Sequence, residues 1–536
     1  MSWFSKLVEA APVLDEYESS SVQDACKELS QNIPESFTLD ELTLGLEQVT
    51  HVNKSTKQIQ KALLATLACL CLSHNLNSND IPSSAKALAR LVSKIISPII
   101  LPQDGSTSIS AAFDDTLLSN RTQLLNHCRA TSHLGLEILS TLPSTNRDLF
   151  TNEDDILLTL IAYADPSSSS FSSLQTSDAL AQTLKSHFNH GSQKDEFITK
   201  TLLGSYLRPL FSASKPSSIT ASGRKKEYPD SDILDRAQGS MPDDTPATKP
   251  WKYTDLRAIP VFCWAVSEAD ENLITQHWPL YVPVLLTLTD DGTTPIRHRG
   301  LLLLADFLSK FPTKILQSTG LGQVFQDAIL PTLSFLPSLT PEDESLQLLV
   351  PAYEALLILA KKQSTPAAKN ALLDRIIREG IFMGYFHAKE HVRIVEVFCR
   401  QTVEILTLMG IHGVKHLKDI IPILSTIVID PFAAAAPATL VAAIKALQAV
   451  LTNCWPRIPA SNRQDEIINA LVLCWLNLSE HEGIPDASRE EIQKELITSA
   501  QALAAVVKTA GIDLASRVAP LLTKTASLQG LFPTSC

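Results

Sequence analysis

From Val282 onward the apolar residues of this chain fall into paired blocks that recur along the sequence. Six first blocks, VPVLLTL from Val282, LPTLSFL from Leu330, EGIFMGY from Glu379, IPILSTI from Ile421, LVLCWLN from Leu471 and APLLTKT from Ala519, begin 48, 49, 42, 50 and 48 residues apart. Between them lie longer second blocks: IRHRGLLLLADFLSKF, PEDESLQLLVPAYEALLILAKK, HVRIVEVFCRQTVEILTLMG, ATLVAAIKALQAVLTNCW and REEIQKELITSAQALAAVVKTAG. Apolar residues return every three or four positions within them, the period of a helix with one buried face. Thr340 before Pro341, and Ser488 with Glu491 three residues on, have the form of helix starts. A period near 48 residues marks an array of helical hairpins. One hairpin cannot bury its own apolar stripe, so hairpins must stack and leave an extended surface for partners. The expected fold is all-α, an α-solenoid of HEAT-like helical hairpin repeats interrupted by a disordered linker.

The first part of the chain is helical but less regular. KQIQKALLATLACLCLSHN, SSAKALARLVSKIISPII, RTQLLNHCRATSHLGLEILSTL, EDDILLTLIAYA and QKDEFITKTLLGSYLRPLF each carry helical spacing, with polar turns such as ADPSSSSFSS between them. Thr38 and Glu41 are spaced as a capping box. From 212 to 250 large apolar residues nearly vanish, and six basic residues balance six acidic ones. Such a segment cannot bury enough surface to offset its ordering entropy. The expected organisation is therefore an irregular helical region at 1–211, a flexible linker at 212–250 and the repeat array at 251–536.

Composition narrows the function. With 45 basic and 57 acidic residues the net charge is −12, a field that repels phosphate backbones, so nucleic acid is not an expected partner. Nine cysteines, an odd number scattered without a paired framework, suit a reducing compartment. The N-terminus lacks a basic n-region and a long apolar core, and prolines break the longest uncharged window, so neither a secretory signal nor a membrane span is expected.

Several strings invite a chemical reading. His387, Glu390 and His391 spell H-x-x-E-H, the inverzincin pattern, and Glu466 lies downstream where a third zinc ligand could come from. Two facts oppose this: HAKEH falls where a second helix begins, and the chain offers no mixed sheet. His412 and His416 share the i, i+4 spacing but lack a third ligand. Cys69 and Cys71, about 200° apart around a helix, are expected as core fillers. Gly320 and Gly322 form a G-x-G with neither a third glycine nor a preceding strand, so a helix joint is expected rather than a dinucleotide site. No cofactor is expected. In the linker, Ser231 between Asp230 and Asp232 suits an acid-directed kinase, or stays an unmodified solvated serine. Lys249, Pro250 and Trp251 either dock on a partner or clasp onto the chain's own first repeat, because an exposed tryptophan is costly.

KPWKYTDLRAIPVFCWAV from Lys249, WPLYVPVLLTLTDDGTTPIRHRGLLLL from Trp278, TGLGQVFQDAILPTLSFLP from Thr319 and TPEDESLQLLVPAYEALLIL from Thr340 resemble the Tel-two-interacting protein two family in order and spacing. The likeness runs from about Lys249 to Ile411, weakens toward the C-terminus and is almost absent before the linker. It implies a non-enzymatic scaffold, the third subunit of the Triple-T complex beside the Tel-two protein and Tel-two-interacting protein one. That complex works with heat-shock protein 90 and the RuvB-like cochaperone assembly on newly made phosphatidylinositol-3-kinase-related kinases. The implied roles touch DNA-damage response, growth (TOR) signalling and telomere maintenance, in cytoplasm and nucleus. The alternative is a transport-receptor-like solenoid whose acidic concave face binds basic cargo.

The acidic turn in the first hairpin is expected to be structural. Pro283, Asp291 and Arg297 match the first-helix proline, turn aspartate and second-helix arginine that HEAT-type repeats carry. Asp291 is expected to accept backbone N–H or arginine hydrogen bonds and so link one turn to its neighbour. Gly300 costs the helix about 1 kcal/mol relative to alanine, which close helix packing would offset.

Overall fold

Some helix starts in this chain are set by side chains that satisfy the free N–H groups of a first turn, as at Thr38, Thr365 and Asp513, and others by a proline at the first positions. The computed structural model describes residues 2–14, 19–52, 55–71, 81–98, 115–142, 153–166, 174–188, 191–214, 219, 224–225, 244–459, 462–480 and 484–532. Thr38 Oγ1 accepts from the Glu41 N–H at 3.2 Å and Glu41 Oε2 accepts from the Thr38 N–H at 3.3 Å, the reciprocal box that the spacing predicts. Among the described residues every regular element is helical and extended pairing is confined to isolated bridges. No described helix is long and apolar enough to cross a membrane. The chain divides into two compact units, Met1–Lys215 with Asp230–Leu273, and Pro216–Pro229 with Ile274–Cys536.

The first unit begins with α1 (Trp3–Ala10), α2 (Ser19–Ser30), α3 (Leu39–Val52), α4 (Thr56–Cys71), α5 (Ile81–Ile95) and α6 (Asp115–Thr141). Helix α4 is its centre: α1, α2, α3 and α6 all pack against it, which is why its residues from Ala62 to Leu70 are buried nearly without exception. Gln60, fully buried there, accepts from the Leu14 N–H at 3.2 Å and donates to the Leu14 carbonyl at 2.8 Å, so its burial leaves no unpaired amide. Cys69 is buried as expected, but Cys71 is exposed and is not the core filler the sequence suggested: about 200° around the helix from Cys69, it points away from the core. Then come α7 (Asp154–Ala164), α8 (Leu174–His187) and α9 (Gly191–Glu196), which runs through a π-helical stretch (Phe197–Leu207) into α10 (Arg208–Leu210). The unit closes with α11 (Pro250–Tyr253) and α12 (Ala258–Ser267), the latter packed on α7 and on the π-helical stretch.

The second unit holds the hairpins. Its helices are α13 (Glu271–Thr289), α14 (Thr294–Lys310), α15 (Thr313–Ser318), α16 (Leu321–Ile329), α17 (Glu342–Lys361), α18 (Pro366–Arg375), α19 (Met383–Ala388), α20 (Val392–Met409), α21 (Leu417–Ile429), α22 (Pro437–Asn453), α23 (Arg463–Glu480), α24 (Asp486–Lys508) and α25 (Leu514–Lys524). The second helices α14, α17, α20, α22 and α24 pack on one another in that order, and the first helices α21 and α23 do likewise. The 48-residue period is thus the distance along the chain from one stacked helix to the next.

Several local expectations shift. LPTLSFL forms a 3-10 segment (Leu330–Ser334) with Pro331 in its first turn, and EGIFMGY spans a π-helical stretch (Ile376–Phe382) and the start of α19. Thr340 does not cap α17: Pro341 does, with φ −53° preset by its ring. Ser488 and Glu491 lie inside α24, which starts two residues earlier behind Pro485. The repeat array was expected from 251, yet α11 and α12 belong with the N-terminal helices, because their tryptophan, arginine and glutamate side chains find partners there.

Candidate functional site

The turn of the first hairpin is built by three short-range interactions. Asp291 is 2% exposed, and its Oδ1 accepts from the Thr293 N–H at 3.0 Å and the Thr293 hydroxyl at 2.6 Å, an Asx turn that delivers the chain into α14. Arg297, one turn into α14, donates Nε–H to the Asp291 carbonyl at 3.0 Å. Its guanidinium also lies 4.3 Å from the centre of the Phe335 ring in the next hairpin. Burial lowers the Arg297 pKa, and the nearby Asp290 and Asp291 only partly offset that. Asp291 thus accepts a backbone N–H as expected, within its own turn, and Arg297 links this turn to the next hairpin through Phe335.

Gly300 is where the two helices of that hairpin touch. A Cβ there would sit 2.7 Å from the Leu288 carbonyl carbon, 2.7 Å from the Thr289 nitrogen and 2.9 Å from Leu288 Cβ. Main-chain atoms cannot swing away, so only glycine permits this approach. Pro283 lies inside α13, and Thr287 Oγ1 donates to its carbonyl at 2.8 Å.

Between hairpins, side chains bond across the repeat distance. His298 Nδ1–H donates to the Gln347 carbonyl at 2.7 Å, and Thr294 pairs with Glu344. Arg393 reaches Asp343 at 2.7 Å, Gln448 reaches Glu495 Oε2 at 2.8 Å, Asn477 reaches the Ile429 carbonyl at 2.9 Å, and Arg517 grips Asp465 with two bonds of 2.9 and 2.8 Å. Exposed pairs of this kind contribute about 0–1 kcal/mol each; their role is to set the register in which apolar faces meet. No single motif in the sequence reveals them, although the period itself is the signal that could have found them.

The metal readings dissolve in this geometry. His387 is in α19 and His391 is the N-cap of α20, so HAKEH straddles a break between helices rather than presenting two imidazoles on one face. His391 Nδ1 pairs with Glu342 at 3.3 Å in the preceding hairpin. His416 is buried and its Nε2 bonds Asp374 at 2.9 Å, with Lys415 on the other oxygen of that carboxylate. Gly320 is a joint: with φ 71° it is the left-handed N-cap of α16, and the Lys225 N–H donates to the Thr319 carbonyl beside it at 3.4 Å. That docking of residue 225 onto the hairpin unit was not foreseen in a segment read as a linker.

Trp251 is wholly buried, so it is not free to dock on a partner. Its ring stacks on Phe211 with centroids 5.0 Å apart and planes at 9°, and its Nε1–H donates to Ser214 Oγ at 3.2 Å. Lys249 lies 5.9 Å from the tryptophan ring centre and 3.3 Å from Asp244, and Pro250 supplies the first turn of α11. This is the clasp, made on the N-terminal helices rather than on the first repeat. Beside it Arg257 donates two bonds to Asp255, at 3.0 and 2.9 Å, and one to Thr159 at 3.2 Å. Burial works to raise the Asp255 pKa, but hydrogen bonds and charge from Arg257 more than offset it and hold the group below the usual carboxylate value. Ser231 lies outside the described residues.

Comparison with known proteins adds two findings. The model of the Tti2 family matches residues 156–435, from α7 through the turn that precedes α22. The match therefore begins well before Lys249, where the sequence alone showed almost no likeness. Among solved structures, the karyopherin Kap121p bound to the SUMO protease Ulp1p is similar at 9% identity, over 97% of this chain and 68% of that one, with a TM-score of 0.23. A score that low carries no argument about fold or function.

Proposed function

Because this chain belongs to the Tti2 family, we propose that it is a non-enzymatic scaffold subunit that binds Tel-two-interacting protein one directly. Family membership supports a scaffold role in the Triple-T complex in general. In the finer reading the Tel-two protein joins the same assembly. The complex then helps heat-shock protein 90 and the RuvB-like cochaperones mature phosphatidylinositol-3-kinase-related kinases, in cytoplasm and nucleus.

The observation that carries this reading is the family match across the α7–α12 region, three complete hairpins and the first helix of a fourth, α21. The geometry agrees with it in kind: polar groups of the singled-out motifs are spent on caps, turns and register, and the hairpins present an extended surface. Binding by such a surface needs no covalent step. A partner that binds only the folded form raises its apparent stability by mass action. Co-expression with Tel-two-interacting protein one should raise soluble yield and Tm and give a stoichiometric complex on size exclusion; failure to co-purify at micromolar concentration would overturn the proposal.

A further inference from the structure

Three large apolar side chains in the hairpin unit are left in water. Leu339, Phe386 and Phe432 are 92%, 73% and 79% exposed, more than any other large apolar residue among those described. They stand 47 and then 46 residues apart, each a few positions ahead of a second helix, α17, α20 and α22. Those three helices pack on one another in order, so positions one repeat apart line up along one edge of the stack. The equivalent turn of the first hairpin instead holds the buried Asp291.

Two grooves accompany this edge. One, of about 510 Å³, is walled by Leu336, Leu339 and Met383, with Asp327 and Glu379 among its other lining residues. The other, of about 570 Å³, is lined by Pro422, Ser425, Ile429, Asp430, Pro431 and Glu466. Ser425, 5% exposed, is among the residues lining this groove, and its Oγ is buried without a hydrogen-bond partner. Four carboxylates thus line the two grooves against one guanidinium, that of Arg375, which is itself bonded to Glu379 at 2.9 Å.

We propose that this edge receives an amphipathic helix from a partner protein, with apolar residues about seven positions apart and Lys or Arg beside them. Stacked helices lie about 8–10 Å apart, and seven helical residues rise about 10 Å, so such a helix sets one apolar side chain on each of the three. The acidic grooves select basic flanks. This deepens the scaffold reading above and rests on it.

The test uses the full chain co-expressed with Tel-two-interacting protein one, in wild-type form and as the triple variant Leu339→Ser, Phe386→Ser, Phe432→Ser. Because all three side chains are exposed, the free variant should keep the wild-type Tm, while its Kd for the sister subunit rises about a hundredfold; Phe432→Ser alone should cost about tenfold. Hydrogen exchange in the wild-type complex should be slowed at 336–339, 383–387 and 425–432. A wild-type chain that fails to bind sinks the scaffold reading, whereas a triple variant that binds as tightly as wild type sinks only the edge. If the free chain dimerises and the triple variant does not, the occupant is a second copy, which also overturns the proposal.

Discussion

Replacing Gly300 with alanine sets two opposed effects against each other. Alanine recovers about 1 kcal/mol of helix propensity in α14 and buries a methyl group worth about 0.8 kcal/mol. Against this, the new Cβ would lie 2.7 Å from two main-chain atoms of α13 and 2.9 Å from the Leu288 Cβ. Ordinary contact needs about 3.5–4.0 Å, so the two helices must part locally by close to an ångström. That motion cannot stay local. Phe307 of α14 packs on Tyr281 of α13 with ring centres 5.8 Å apart, and His298 is tied to Gln347 in the next hairpin. Overpacking against rigid backbone costs about 1–3 kcal/mol, occasionally more, and the absence of a flexible neighbour places this site at the upper end. The expected net result is a loss of about 1–2 kcal/mol. Urea unfolding followed by far-UV circular dichroism, with hydrogen exchange across 284–308, reads both the loss and its location. Gly322→Ala is the control, since its Cβ would meet only Leu316 side-chain atoms at 3.7 Å and beyond; it should be neutral or slightly stabilising. A Gly300→Ala chain at least as stable as wild type would refute the reasoning.

Other substitutions test the remaining contacts. Asp291→Ala removes the acceptor of two bonds in the first turn and should cost about 1–2 kcal/mol, read by thermal melts; partner affinity lost at unchanged Tm would show that the turn is a binding element. Trp251→Ala empties a fully buried stack on Phe211 and should cost about 3–5 kcal/mol, with new protease sensitivity appearing first around 205–214 and 250–260; mild effects would mean that the clasp is dispensable. Acidification should weaken the first unit: burial and then Arg129 hold the His133 pKa below its ordinary value. The stability from neutral His133 is therefore complete above an unfolded pKa of about 6.5 and is lost as pH falls toward the lower folded value. His133→Gln should flatten the stability–pH slope below about pH 6.5, and an unchanged slope would assign the effect elsewhere.

Much was legible before any coordinates. The capping box at Thr38 and Glu41, the second helices and the period between hairpins depend on neighbours within a turn or two, and local chemistry is written locally. Pro283, Asp291, Arg297 and Gly300 could be picked out as a joint because their types suit their places in a hairpin. What each does was less legible. Arg297 meets Phe335, 38 residues away, and Gly300 meets the main chain of Leu288 and Thr289, so their roles depend on how helices close on one another.

The sequence by itself determined that this chain is all-α and that its hairpins repeat, because helical period and turn chemistry are short-range; the family resemblance came instead from the order and spacing of four blocks between Lys249 and Ile411. Tertiary structure alone decided that Trp251 is spent inside on Phe211, that α11 and α12 join the N-terminal helices, and that HAKEH spans a helix break. It also decided which apolar residues stay in water. Leu339, Phe386 and Phe432 look in the sequence like any other apolar residues near a turn. Whether such a residue is covered depends on surfaces dozens of residues away, and burial is a property of the packed whole.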